Sequence, residues 1–333
     1  MNHQFVSPHG EVMDERLFGD RIVRFLYSEA RERAPSLFEM LASPRMSTLL
    51  GLLNFDFPLS PRLLGNRRFL KSCGVDLSEC LDLPSALRTP RQIFERRIRY
   101  WETRPLASLD PSVVLSPADS RVVVGSLDET SRLAVKGKFF ELEELVGKGW
   151  AGAFEGGDFA VFRLTPEKYH YNHTPVAGRV LDCYAVEGRY HSCNPGAVVE
   201  LVTPYSKNKR HVTILDTDVP GGTGVGLVAM VEVVALMIGE IVERYSAYRY
   251  ENPRALKPGM FVERGAPKSL YRPGSSTDIV LFEPDRIAFE EDLVRNLAGQ
   301  GAASRFTQAF GRPLVETEVA VRSALGRRRE GER

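Results

Sequence analysis

Two different spacings of apolar residues divide the chain. From Asp14 to Ala34, Leu17, Phe18, Ile22, Phe25, Leu26 and Ala30 recur at steps of three and four, with Arg16, Asp20, Arg24 and Glu29 between them. That spacing predicts an amphipathic helix. Pro35-Ser36 ends it and starts a second run through Leu37, Phe38, Met40 and Leu41. Met46 to Leu53 adds a third apolar patch, closed by Phe55-Asp56-Phe57-Pro58. Pro90 then marks the start of a further helix through Arg91 to Ile98. From Val113 onward the pattern shortens to strands and turns, with predicted strands at Arg121–Val124, Leu133–Val135, Phe159–Arg163, Val198–Thr203 and His211–Leu215. Leu227 to Ile241 is the most hydrophobic segment. It is rich in valine, carries Glu232 and Glu240, and is shorter than the ~20 residues a membrane-spanning helix needs, so it predicts a buried strand. Ile279–Phe282, Ile287–Phe289 and the alternation Val315, Thr317, Val319, Val321 continue the series. The fold class this predicts is α+β: amino-terminal amphipathic helices over residues 1–105, then a mostly antiparallel β-rich core over 106–333.

Composition adds little to that picture and removes some alternatives. The 333 residues are 43% hydrophobic, enough for a substantial core. Acidic and basic residues nearly cancel, at a formal +1, so nucleic acid is not predicted as a partner. Cys73, Cys80, Cys183 and Cys193 form no Cys-x-x-Cys pair and are too sparse for a disulfide scaffold, which predicts reduced thiols in a cytoplasmic compartment. Met1 to Glu11 contains no apolar run of the secretory kind. The amino-terminal helices either pack on their own protein or lie on a bilayer, with Arg45, Arg62, Arg67 and Arg68 near lipid phosphates. Gly221-Gly222-Thr223-Gly224-Val225-Gly226 lacks the Gly-Lys-Ser/Thr ending of a phosphate loop and predicts a turn. Arg327-Arg328-Arg329 reads as a solvated basic tail, with a weak lipid contact as the alternative.

Three separated stretches carry the chemistry. Arg272-Pro273-Gly274-Ser275-Ser276-Thr277 is a turn of small hydroxyl residues running into an apolar strand. The others are Leu115-Ser116-Pro117-Ala118-Asp119 and Tyr169-His170-Tyr171-Asn172-His173-Thr174-Pro175. Serine is a poor nucleophile at neutral pH and needs a base, itself oriented by a carboxylate. Ser276, His173 and Asp119 can fill those roles. His170 and His173 have a spacing that a metal can use, but His3, His9, His191 and His211 add no matching pattern and no cysteine pair joins them, so no metal is predicted.

Taken together these stretches resemble the phosphatidylserine decarboxylase family. Gly274-Ser275-Ser276-Thr277 resembles its Gly-Gly-Ser-Thr or Leu-Gly-Ser-Thr signature, Ser116 to Ser120 its Ser-Pro-x-Asp-Gly, and Tyr169 to Pro175 its Tyr-His-x-x-His-x-Pro. Arg104-Pro105, Val135-Lys136-Gly137, Asn194-Pro195 and Asn208-Lys209-Arg210 add support, and the likeness extends from about Asp14 to Gly326. The resemblance implies a proenzyme in which His173, held by Asp119, deprotonates Ser276, and Ser276 attacks the carbonyl of Ser275. The internal ester then breaks by β-elimination, and hydrolysis leaves a covalent pyruvoyl group derived from Ser276. The products are a large chain, 1–275, and a small chain, 276–333, that stay together. The substrate amine forms a Schiff base with the pyruvoyl group, which acts as electron sink for decarboxylation, and His170 is the acid that protonates the product carbanion, with His173 as the second candidate. The implied substrate is phosphatidylserine, giving phosphatidylethanolamine at the cytoplasmic face of a membrane to which the enzyme binds peripherally; a homo-oligomer is compatible with it. A free amino acid as substrate, a conventional serine hydrolase and a non-catalytic membrane-binding module are the competing readings. The chain departs from the family pattern at Ser120, Ser275 and Val234, each where glycine is common. Ser275 leaves open a cut between Gly274 and Ser275, although the register through Leu281-Phe282 favours Ser276.

Overall fold

The computed structural model describes residues 2–15, 17, 75–83, 86–128, 140–192, 194–199, 204–235, 240–273 and 276–330. The amphipathic helices predicted between residues 17 and 53, the strand Leu133–Val135 and Ser275 lie outside the described residues.

Among the described residues ten strands form one sheet. Edge to edge they are Phe261–Val262, Gly178–Val186, Arg210–Asp216, Leu227–Val233, Ser276–Phe282, Asp158–Leu164, Ser120–Ser126, Glu316–Val319, Gln4–Val6 and Val12–Asp14. Neighbours are antiparallel except Gln4–Val6 and Glu316–Val319, which run parallel. Two three-stranded sheets accompany it: Ile241–Glu243, Pro267–Tyr271 and Tyr171–His173; and Ile287–Phe289, Ala324–Arg328 and Val113–Leu115. The mostly antiparallel β-rich core predicted from the strand pattern is the architecture observed.

The strand Ser276–Phe282 is buried along its whole length. Ile279 and Leu281 pack with Phe159, Val161, Ala229 and Val231 on one side, under the helices Leu142–Val146 and Lys148–Phe154. Val280 and Phe282 pack with Ala160, Phe162 and Val228 on the other, with Val114, Ile287 and Leu325 of a small sheet. A strand covered on both faces needs apolar residues at every position rather than at alternate ones, and Ile279-Val280-Leu281-Phe282 is such a run. Gly157 lets the neighbouring chain come close: a Cβ there would lie 2.0 Å from the Phe282 carbonyl oxygen. The glycine run 221–226 is a turn, with Gly221, Gly224 and Gly226 at positive φ, where side chains are disfavoured.

Four elements differ from their sequence patterns, each for a local reason. Val198 ends a short helix, Pro195–Val198, because Asn194 caps it through the Gly196 N–H and Pro195 sits at its first turn. The helix from Pro90 has a full capping box between Thr89 and Gln92 but stops at Phe94; Ile98 instead bridges to Cys80 as extended chain. The run from Leu227 ends as a strand at Val233, and Ile241–Glu243 joins a different sheet. Gln4–Val6 and Val12–Asp14 form a hairpin that joins the large sheet, whereas the boundary at 105 assigns those residues to a helical region. Ion pairs hold it there. Arg163 pairs with Glu15 at 2.7 Å and with Glu316 at 2.6 Å, His3 lies 2.8 Å from Glu316, and Arg121 pairs with Glu15. His3, Glu15 and Glu316 are close enough to suggest a metal cluster. The two arginines already balance both carboxylates, so the cluster is closed without one.

Candidate active site

Ser276 stands where the chain passes from one sheet to another. The strand Pro267–Tyr271 belongs to a small sheet, and Ser276 opens the central strand of the large one, opposite Leu164. Ser276 is 1% exposed and its Oγ has no hydrogen-bond partner. A buried hydroxyl left unpartnered is costly, and such groups concentrate where chemistry occurs.

Backbone hydrogen bonds bring the other two motifs to this junction. The Tyr271 N–H donates to the His170 carbonyl at 3.0 Å, and the His173 N–H donates to the Pro117 carbonyl at 2.7 Å. Tyr171–His173 lies beside Pro267–Tyr271 in the small sheet, while Ser120–Ser126 is two strands from Ser276 in the large one. Three stretches distant in sequence thus meet. Ser275 lies outside the described residues.

His170 and His173 are both fully buried but occupy different surroundings. The His170 ring stacks on Phe94 at 3.5 Å, and its Nδ1 is 2.8 Å from the Lys168 carbonyl. Since a carbonyl only accepts, the proton is on Nδ1, and Nε2 carries a buried lone pair with no partner. Burial, and then the Arg96 guanidinium, hold its pKa well below the usual histidine range. His173 has Nδ1 2.9 Å from the Gly265 carbonyl and Nε2 3.1 Å from the Tyr169 hydroxyl, with Tyr100 edge-on at 4.7 Å. Burial pushes its pKa down to about 3. Both rings are therefore neutral at ordinary pH.

Asp119 does not orient His173 here, contrary to the role the resemblance implies. Its oxygens take the Arg104 guanidinium at 3.0 and 3.1 Å and the Val321 N–H at 2.8 Å. Arg104 is in turn paired with Glu79 at 2.9 Å. The orienting acceptor on His173 is the Gly265 carbonyl, while Arg104 occupies the Asp119 carboxylate. Asp119 still acts on His173 through its charge, favouring the imidazolium. Neither imidazole hydrogen-bonds Ser276 in this arrangement.

Two departures from the family pattern prove harmless. Ser120 is absent from the positive-φ residues, and its hydroxyl donates to the Ala118 carbonyl at 3.2 Å. Val234 is buried and bonded through both backbone groups to Lys209 and Asn208.

Residues outside the motifs complete the site. Glu232 and Lys268, 0% and 1% exposed, pair at 2.5 Å, and Asn172 and Ser269 also donate to Glu232. Asp278, in register with Glu232, accepts or donates at 2.8 Å to the Tyr271 hydroxyl, which also lies 2.9 Å from the Thr277 carbonyl. Sequence reasoning passed over this network. Its signal was an acid within each of two strands otherwise apolar enough to be core.

Comparison with known proteins bears on this arrangement. The family model for phosphatidylserine decarboxylase matches residues 91–311. The chain is 30% identical over 293 residues to phosphatidylserine decarboxylase proenzyme 3 of Schizosaccharomyces pombe, covering 86% of this chain and 28% of that protein. It is 33% identical over 239 residues to the phosphatidylserine decarboxylase proenzyme of Bordetella petrii, covering 67% and 79%. With the proenzyme of Chlamydia trachomatis it shares 28% identity over 303 residues, covering 89% and 91%. The chain thus spans little more than a quarter of the yeast relative and most of the two bacterial ones.

Proposed function

The chain belongs to the phosphatidylserine decarboxylase family, and from that premise we propose that it is a carboxy-lyase converting phosphatidylserine to phosphatidylethanolamine, with an electrophile made from Ser276. The observation that carries the proposal is the unpartnered, buried Ser276 hydroxyl at the junction of two sheets, with the His170–His173 and Asp119 stretches bonded to the same junction. A pyruvoyl group fits there. Its carbon skeleton is the serine's own, and loss of an Oγ that bonds to nothing breaks no hydrogen bond. Once formed, the group supplies an electron sink for decarboxylation.

The protein's own residues have separable tasks in this reading. Ser276 Oγ attacks the Ser275 carbonyl, and His173 takes its proton at Nε2. That requires Nε2 to give up the Tyr169 hydroxyl, for which the Tyr250 hydroxyl, 2.7 Å from Tyr169, is an alternative partner. Asp119 stabilises the imidazolium by its field. The Ser275–Ser276 amide bond breaks as His173 returns that proton to the Ser276 nitrogen. The ester so formed then loses the Ser276 Cα proton and its Cβ–Oγ bond, releasing the large chain with its new carboxylate at Ser275, and water hydrolyses the resulting enamine to release ammonia. In turnover His170 accepts a proton from the substrate's ammonium at Nε2, the nitrogen that its Nδ1 contact with Lys168 leaves free, and passes it on to the product carbon. Burial of the site excludes water from the developing carbanion.

The small chain, 276–333, would stay bound because it is woven into all parts of the core. Its strand Ser276–Phe282 lies between Asp158–Leu164 and Leu227–Val233, Glu316–Val319 lies beside Ser120–Ser126, and Ala324–Arg328 beside Val113–Leu115. No helix among the described residues is long and apolar enough to cross a membrane. We take the enzyme to meet its lipid from the bilayer surface, peripherally and on the cytoplasmic side.

Ser276→Ala tests the assignment. The variant should purify as one uncut chain and release no carbon dioxide from phosphatidylserine vesicles, while the unaltered protein does so. Carbon dioxide released from free serine but not from the vesicles would reject the lipid substrate. An active Ser276→Ala variant would reject the electrophile.

A further inference from the structure

Tyr271 and Asp278 lie on either side of Ser276 in the sequence and meet in the structure. Tyr271, 1% exposed, is the last residue of Pro267–Tyr271, and Asp278, 0% exposed, is the third of Ser276–Phe282. The Tyr271 hydroxyl is 2.8 Å from Asp278 Oδ1 and 2.9 Å from the Thr277 carbonyl oxygen. A phenol has one proton to give. An ionised Asp278 and a carbonyl both only accept, so one of those two short contacts would have no proton in it. With Asp278 un-ionised, its O–H donates to Tyr271, the Tyr271 O–H donates to Thr277, and both contacts are hydrogen bonds.

Resting on the reading of Ser276 as the cleavage serine, we propose that Tyr271 and an un-ionised Asp278 form a clasp that ties the end of Pro267–Tyr271 to the start of Ser276–Phe282, a pair of positioning residues that aligns Ser276 for self-cleavage and afterwards holds the new amino terminus at the head of its strand. The clasp joins what become separate chains. Tyr271 stays with the large one, and Thr277 and Asp278 go with the small one.

The surroundings of Asp278 agree with the donor count. Leu227–Val233 sets Glu232 opposite it, and Pro267–Tyr271 supplies Tyr271 and Lys268, the latter paired with Glu232 at 2.5 Å. On the other side Asp158–Leu164 sets Phe162 opposite. The single nearby cation among these is already matched by Glu232. Burial first, and then the Glu232 charge, push Asp278 well above the usual carboxylate range.

Three full-length variants test this: Asp278→Asn, Asp278→Leu and Tyr271→Phe. The fraction cleaved is read by intact mass, and kcat and KM for phosphatidylserine vesicles across pH. An asparagine N–H can donate to Tyr271 in place of the acid. Asp278→Asn should therefore cleave fully and turn over within about threefold of the unaltered enzyme, whereas the other two cleave incompletely and lose about tenfold in kcat with little change in KM. The unaltered enzyme should lose kcat as rising pH ionises Asp278; Asp278→Asn should lack that loss. If Asp278→Asn is as defective as Asp278→Leu, a carboxylate is required and the clasp is wrong. Normal cleavage and turnover in both Tyr271→Phe and Asp278→Leu would also overturn it, as would an unchanged loss of kcat with rising pH in Asp278→Asn. An unaltered protein that stays uncut rejects the reading of Ser276 instead, so the two failures are distinct.

Discussion

Replacing Lys268 by methionine probes the buried charge beneath the site. Lys268 is 1% exposed and its Nζ is 2.5 Å from Glu232, which is itself 0% exposed. Methionine fills the same volume but leaves Glu232 with Asn172, Ser269 and a distant His211, at 3.8 Å, in place of a full positive charge. Breaking a buried pair by removing one partner costs about 3–5 kcal/mol, because the other charge stays desolvated. The unfolding entropy of a chain of 333 residues is roughly 0.7 kcal/mol/K. The thermal midpoint should therefore fall by about 4–7 °C. Differential scanning calorimetry on a Ser276→Ala background, which keeps the polypeptide in one piece, measures this without interference from cleavage. Adding Glu232→Gln should recover most of the loss, since two neutral groups of matching shape leave no buried charge. A Lys268→Met shift below about 1 °C, or a double variant no better than the single one, would refute the reasoning that this pair is desolvated and mutually dependent.

Two further outcomes follow from the same structure. Burial depresses His173 to about 3 against about 6.5 unfolded, so between those values the unfolded chain binds the extra proton and stability falls as pH falls. From pH 6.5 to 5 this histidine alone should remove about 2 kcal/mol, and thermal midpoints of His173→Gln should decline less steeply over that window. Arg104→Leu should leave Asp119 without its bidentate partner and Glu79 without its ion pair, slowing self-cleavage by about tenfold in a time course of intact mass.

The sequence made the β core legible because its strands carry both turn chemistry and dense β-branched residues. Ile279 to Phe282 was read as buried and is central to the large sheet. The amino-terminal hairpin escaped notice because three-residue strands such as Gln4–Val6 are too short to show a period, and ion pairs to Arg163 add to the burial of Phe5 and Val6 in holding them. The helix at Pro195 was hidden by Val198-Val199, whose β preference loses to the cap formed by Asn194. For the site, the three motifs were legible and do converge. Asp119 was assigned a contact with His173 because carboxylate and imidazole commonly pair, but a guanidinium from a fourth stretch, Arg104, competes for it. Tyr271, Asp278, Glu232 and Lys268 come together through strand register, which no local pattern reveals.

Intact-mass measurement of the purified, active protein tests the central claim most directly. The account predicts two polypeptides divided immediately before Ser276, co-purifying until denatured, with the small one beginning in a group that lacks an amine. One continuous polypeptide of 37.3 kDa with full activity and an unmodified Ser276 would contradict it.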